Sequence, residues 1–371
     1  MKRLTILLIL VLTVWGSLVE VPTNKVWAQE KVYRIAYVIV LQDSVSNKYS
    51  YYLEIVDPGG QNKVRIPLNH DVERLLWSPD HTKLAVIPAC CEYSFVDFYD
   101  EKGILIKTYK PVYYFLGFTW FGNNNEVLTS KMDVIRGDGV GLFVQDLTKD
   151  SEYKVVSGSH FDTWNISPVV SPDGRFLAFV HQEFGSNNWV VVVKLDSSKY
   201  PYDYLDFHNE HVPKDYVVLD GPDLNPDLRW LSDSDTLLVS SSSNYLFSVS
   251  RKTKTELETS NIQGYSCSGG DVILAHTSKR IACWASNNSA GRVLLVSSLD
   301  GTYVMKIHTE STRVPLSWSP DDLMIVYECP ENYQSGGLDM YTLCITMSDG
   351  FSFWKLHSIA QAWYSRLLVA W

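Results

Sequence analysis

In the segment "FHNEHVP", His208 and His211 stand three residues apart with Glu210 between them. On a helix that spacing would place both imidazoles on one face, where they could share a metal ion. Pro201 and Pro213 bracket the segment, and its turn-forming composition points to a loop instead, so no metal ligand set is assigned. The surrounding stretch, "SSKYPYDYLDFHNEHVPKDY", carries Tyr200, Tyr202, Tyr204, Phe207 and Tyr216 among Asp203, Asp206, Glu210 and Asp215. Aromatic side chains on an exposed loop are common anchors for a partner. The sequence therefore nominates Tyr200, Tyr202, Tyr204, Phe207, His208 and His211 as a contact surface for a protein, peptide or glycan.

Other candidate chemistry is thinner. Arg136-Gly137-Asp138 spells an adhesion tripeptide, but a glycine-rich hairpin turn accounts for it fully. A serine nucleophile would need a strained elbow of the Gly-x-Ser-x-Gly type, and no such pentapeptide occurs. No catalytic residue and no cofactor are assigned. Six cysteines are present. Cys267 and Cys283 flank one expected hairpin, and Cys329 and Cys344 another, so both pairs are disulfide candidates. Cys90 and Cys91 are adjacent and are left unassigned.

The elements that must position these residues follow from a repeat. Ser78-Pro79-Asp80, Ser171-Pro172-Asp173-Gly174 and Ser319-Pro320-Asp321 each lie between two apolar runs. Proline presets φ for a turn, and the aspartate can accept hydrogen bonds from nearby amides. These serines, prolines and aspartates, with Gly174, are thus read as turn formers and not as catalytic acids. Weaker copies follow Trp120, Trp230 and Ala275, giving anchors at 77, 120, 170, 230, 275 and 318 with spacings of 43, 50, 60, 45 and 43 residues. That interval suits four-stranded blades, and alternation over four to eight residues recurs throughout. The longest interval holds the aromatic insertion. Trp77, Trp120, Trp230, Trp318 and Trp371 are expected to pack in the core or between blades.

The two ends complete the count. Arg34–Val40, Tyr51–Val56 and Val64–Leu68 read as second, third and fourth strands lacking a first, while "SRLLVAW" matches "VERLLW" and reads as a first strand alone. Joined, they give a seventh blade and leave no open sheet edge. The expected fold is an all-β, seven-bladed propeller of four-stranded antiparallel blades over residues 29–371, with six or eight blades as alternatives.

"SPDGRFLAFV" and its partial copies resemble the repeat of TolB-like β-propeller proteins, which also occurs in the propeller domains of prolyl-oligopeptidase relatives. The likeness covers residues from about 30 to 371 and is specific at three units. It implies binding, gating or scaffolding more than any single chemistry. Family members often have six blades, from which a count of seven departs. A propeller-fold lyase or hydrolase acting on carbohydrate or peptide is the alternative.

Composition narrows the partners. The chain has 46% hydrophobic and 20% charged residues and a formal net charge of −10, which repels phosphate backbones and argues against nucleic acid. Met1-Lys2-Arg3 is a basic head, Leu4 to Trp15 an apolar run, and Val26-Trp27-Ala28 supplies small side chains before Gln29. Residues 1–28 therefore read as an export signal, placing a monomeric protein in the periplasm or outside the cell. Its loss would leave 29 of the 32 basic and 41 of the 42 acidic side chains, a net −12. No later segment is long and apolar enough to span a bilayer as a helix.

Overall fold

Short runs rich in Val, Ile, Leu and aromatic residues, separated by Asp, Ser, Gly and Pro, form strands and turns throughout the computed structural model. One turn of 3-10 helix, Ser197–Lys199, interrupts them among the described residues. The structure describes residues 32–371 apart from 43–47, 90–94, 111–114, 123, 134–137, 159–162, 184–187, 206–209, 221–225, 241–243, 258–261, 263, 278, 288–290, 308–314, 331–339, 350–351 and 361–368. The expected export signal, Cys90-Cys91 and Arg136-Gly137 lie outside them.

The chain opens with β1 (Ile35–Gln42), β2 (Tyr49–Val56) and β3 (Val64–Leu68). A four-stranded sheet follows, made of β4 (Val72–Trp77), β5 (Lys83–Pro88), β6 (Val96–Asp100) and β7 (Leu105–Tyr109). Next come β8 (Phe115–Trp120), β9 (Glu126–Asp133), β10 (Asp138–Asp146) and β11 (Ser151–Val156). The fourth group is β12 (Thr163–Val170), β13 (Phe176–Glu183), β14 (Asn188–Lys194) and β15 (Tyr216–Asp220). Two further sheets are β16 (Asp227–Trp230), β17 (Thr236–Ser240), β18 (Tyr245–Ser248) and β19 (Thr253–Glu256), then β20 (Ser266–Leu274), β21 (Arg280–Asn287), β22 (Gly291–Ser298) and β23 (Val304–Ile307). The last sheet is β24 (Pro315–Trp318), β25 (Met324–Pro330), β26 (Met340–Met347) and β27 (Phe353–Ala360). β28 (Val369–Ala370) returns to the start, pairing Ala370 with Ala36 and Val369 with Tyr37. The final strand thus completes the first sheet, in the order β28-β1-β2-β3.

Seven separate four-stranded sheets are expected from the sequence; five are present. The groups β8–β11 and β12–β15 form a single eight-stranded sheet, because β10 and β12 meet in a parallel bridge at Val140 and Trp164. Beside it, Gly117 on β8 lets β8 and β12 approach closely. A Cβ there would lie 2.6 Å from Pro168 Cδ, closer than real contacts permit. Asn165 Nδ2 then donates to the Val140 carbonyl at 2.9 Å and fixes the junction.

Burial explains the strand composition. Central strands such as β5 and β17 are apolar on both faces and buried, whereas the outer strand β19, "TKTE", is exposed along its length. The core is accordingly divided into clusters between successive groups. Val38, Leu53 and Ile55 pack against Leu75, Leu84 and Val86. Tyr37 and Ile39 face Val326, Ile345 and Trp371. The first strands of successive groups approach one another, as β8, β12 and β16 do, and as β20, β24, β28 and β4 do. They are therefore the innermost strands.

The anchor tryptophans link these strands. Trp120, Trp230 and Trp318 each donate the indole N–H to a carbonyl on the innermost strand of the preceding group, Leu76, Val169 and Ile273 respectively, at 3.1–3.3 Å. Trp371 donates to Tyr33 at 3.1 Å. Cys267 and Cys283 form a disulfide across β20 and β21, where the ladder breaks between Cys267 and Val272. Cys344 is also disulfide-bonded. The side chain of Cys329, its expected partner, lies outside the described residues. Among the described residues no helix is long and apolar enough to cross a membrane.

Truncating Trp371 to Ala should lower stability by about 3–5 kcal/mol, the usual loss for a buried aromatic side chain. Trp371→Phe, which keeps a ring but not the donor to Tyr33, should lose only about 1 kcal/mol of that hydrogen bond beyond the packing difference. Replacing Cys267 and Cys283 together by Ala opens a loop spanning 16 residues and should remove about 3 kcal/mol. Denaturant titration of the three variants measures all of these.

Candidate functional site

The aspartates of the repeat are engaged in their own turns. Ser78 Oγ donates to Asp80 at 2.7 Å, Ser171 Oγ to Asp173 at 2.8 Å and Ser319 Oγ to Asp321 at 2.5 Å. Each serine oxygen in turn accepts a backbone N–H five residues on, from Lys83, Phe176 and Met324. The fourth turn residue is left-handed in every case: His81 at φ 56°, Gly174 at 73° and Asp322 at 60°. Ser234, closing the degenerate copy Leu231–Ser234, has φ 56° and the same turn bond. Burial would raise the Asp80 carboxyl, but hydrogen bonds from Ser78 and Thr82 outweigh it and hold it below the usual value. Asp322 goes further and accepts the amides of His276 and Thr277, both on the neighbouring turn. These carboxylates fasten turns.

The aromatic insertion is only partly a surface. Tyr202, nominated as a contact residue, is 4% exposed and Leu205 1%. Tyr202 bridges Val156 on the outer strand β11 of the preceding group: its N–H donates to Val155 O, and its carbonyl accepts from Ser157 N. Its hydroxyl donates to Lys194 O and accepts from Asp196 N. Tyr200 stacks on Tyr153 with ring centroids 6.0 Å apart, and Tyr216 packs against Phe179. The Tyr202 assignment is thus corrected: the ring fills the cluster between two groups and covers a strand edge. Tyr204 remains half-buried, and His211 lies 3.2 Å from Asp203 with its ring 4.6 Å from Tyr204. Phe207 and His208 lie outside the described residues. Among the described residues no group of three His, Cys, Asp or Glu side chains is placed to hold a metal.

A second polar group had no sequence signal. His181 Nδ1 lies 2.7 Å from Asn165 Oδ1, and His181 Nε2 lies 3.5 Å from Glu183 Oε1. Asn165 spends its amide on Val140, so both ring nitrogens of His181 face acceptors. Chemically this is a His–Glu relay. With His181 at 1% and Glu183 at 2% exposure, no substrate reaches it. It secures the junction of β10 with β12.

The exposed charges lie elsewhere, on innermost strands. β4, β8, β12, β20 and β24 each carry a register shift against their partner, which bends the strand and re-aims side chains. In β4 the shift falls between Val72 and Arg74, and both Glu73 and Arg74 are exposed. In β16, Asp227 is exposed and accepts from Arg229 Nε at 2.8 Å. Arg74 is open to solvent, yet loss of hydration, its largest influence, lowers its pKa. Asp227 acts to raise it, Arg229 to lower it and Glu73 to raise it. β16 is not next to β4 in the sequence of innermost strands. Arg74 and Asp227 each stand three residues before an anchor tryptophan, and a charge at that place on an apolar strand was the available signal.

No family model and no curated protein sequence matches the chain. Solved structures do. TolB from Acinetobacter baumannii has 14% identity and a TM-score of 0.46, covering 91% of this chain and 82% of its own. Prolyl oligopeptidase B from Galerina marginata has 10% identity and a TM-score of 0.57, covering 88% of this chain, which spans about half (51%) of that enzyme. The oligogalacturonate lyase from Vibrio parahaemolyticus has 11% identity and a TM-score of 0.54, with 88% and 86% covered. Both groups that the repeat resembles are among these neighbours. At such identities the likeness is one of fold, an all-β propeller of antiparallel four-stranded blades.

The two roles within the insertion separate by mutation. Tyr202→Phe should destabilise by about 1–2 kcal/mol, since two backbone groups, Lys194 O and Asp196 N, lose a partner. Tyr204→Ala should change stability by less than about 1 kcal/mol. Thermal and denaturant unfolding of both variants checks this contrast.

Proposed function

We propose that the chain is an exported, non-enzymatic binding module whose innermost strands present charged side chains to a ligand entering along the propeller axis. The carrying observation is Arg74, solvent-exposed on an innermost strand between the buried Val72 and Leu75. A core would place apolar side chains there. The blade count we favour is seven, with the eight-stranded sheet taken as two blades. One parallel bridge joins its halves, and seven apolar clusters each lie between successive groups. Export is supported by the basic head and apolar run at residues 1–15, and by a disulfide that persists in oxidising compartments. The partner is a protein, peptide or glycan met by a monomer, and Tyr204 with His211 is the secondary contact.

Affinity capture from envelope extract tests this reading with immobilised residues 29–371. The wild type should retain a dominant ligand that Arg74→Ala/Arg229→Ala, with an unchanged thermal midpoint, does not. Equal retention by that variant overturns the axial site. Loss with Tyr204→Ala alone would move the contact to the insertion, and turnover of the captured species would replace binding by catalysis.

A further inference from the structure

We infer that the hairpin joining β6 to β7 docks on a bilayer of anionic phospholipid, inserting Ile104, Leu105 and Ile106 at the level of the headgroups. This goes beyond the axial reading and stands independently of it.

Ile104 is 62% exposed, Leu105 50% and Ile106 50%, and Ile104 is the most exposed large apolar side chain among the described residues. Successive strand residues point to opposite faces, so Leu105 and Ile106 leave both faces of β7 uncovered at this end. The repeat does not require this. The corresponding turns read Gly59-Gly60-Gln61-Asn62 before β3, Thr148-Lys149-Asp150 before β11 and Ser250-Arg251-Lys252 before β19. The tip is also held in place. Asp100 Oδ1 accepts the amides of Lys102 at 2.9 Å and Ile104 at 2.8 Å, and Arg34 donates to the Glu101 carbonyl. Gly103 rests on β3, where a Cβ would lie 2.8 Å from Ile66 Cδ1 and 2.9 Å from Val64 Cγ1. An apolar edge is thereby presented to solvent on a fixed support, the mark of an interaction surface.

Shape and charge choose the occupant. A strand added by a peptide or a second copy needs a regular edge, and β7 breaks its register here. Lys107 pairs with Phe98 and Leu105 with Tyr99, leaving Ile106 over in a bulge, a device that blunts strand edges. A tip free on both faces suits instead a fluid interface that closes around it. The charges beside it complete the match. Exposed Lys63 and Arg65, alternating with Val64 and Ile66 on β3, share the single buried carboxylate of Glu54 and leave one positive charge over. Lys107 is matched by Asp150, Arg34 by Asp57, and exposed Lys102 by exposed Glu101, while Asp100 faces its own turn amides. The balance turned to solvent is cationic in a chain of net −10, and anionic headgroups are its complement.

Vesicle flotation tests the inference with residues 29–371, which hold every described strand. The vesicles are phosphatidylcholine alone, and phosphatidylcholine with phosphatidylglycerol in equal parts. The wild type should partition onto the anionic vesicles about tenfold more strongly than onto the neutral ones. Ile104→Ser/Leu105→Ser/Ile106→Ser should weaken that partition about ten- to a hundred-fold at an unchanged thermal midpoint, and Ile104→Ser alone about threefold. Lys102→Ala should cost about fivefold on the anionic vesicles and leave the neutral ones unaffected. Absence of wild-type partition overturns the inference, and so does partition that survives the triple substitution. Equal partition onto both vesicles overturns the anionic assignment. Capture of an envelope protein that depends on the hairpin, without vesicle binding, makes the tip a protein contact and overturns the bilayer as its partner. None of these outcomes touches the axial reading, which falls separately if capture survives loss of Arg74 and Arg229.

Discussion

A four-stranded sheet with apolar side chains on both faces cannot stand alone in water, because each face must be covered by another sheet. That requirement organises the whole molecule. β5 and β17 are buried along nearly their full length only because a neighbouring group lies on either side. A linear stack would leave two faces bare at its ends. Pairing β28 with β1 removes both, bringing Trp371 against Ile35, Tyr37 and Val326. Closure is therefore a condition for burying the end groups. The indole donors of Trp120, Trp230 and Trp318 reinforce it at the axis, where neighbouring strands pack edge to edge with few ladder bonds between them.

How much of this could be read from the chain depends on the range of each interaction. The Ser-Pro-Asp turn is complete within six residues, so its sequence specifies its geometry, and even Leu231–Ser234, with no proline, reaches the same left-handed fourth position. The pairing of the two ends was legible because "SRLLVAW" repeats "VERLLW". The fusion of two groups was not. It runs through the parallel bridge between Val140 and Trp164, which no local pattern encodes. The fate of Tyr202 was hidden for a related reason. An aromatic residue on a polar loop has the same signature whether it faces a partner or folds back on β11, and only the Val156 bridge decides. Arg74 was overlooked because the strand pattern was read for its apolar positions.

Two buried polar groups show how a scaffold and a site differ in chemistry. Around His181, the contacts among the described residues close inward: Asn165 is held by Val140, Glu183 is buried, and the gain is rigidity at the junction. Asp322 behaves likewise, its carboxylate consumed by two amides of the next turn. Such groups offer nothing to a ligand, because their donors and acceptors are already matched. The same is true of the turn aspartates, so the most repeated residues in the sequence are the least available for recognition.

Arg74 inverts that logic. It stands exposed between the buried Val72 and Leu75, where an apolar side chain would extend the cluster those two begin. The register shift between Val72 and Arg74 bends β4 at the place where the charge is presented. An irregular strand and an exposed charge coincide on one innermost strand, and recognition is the role that makes physical sense of both.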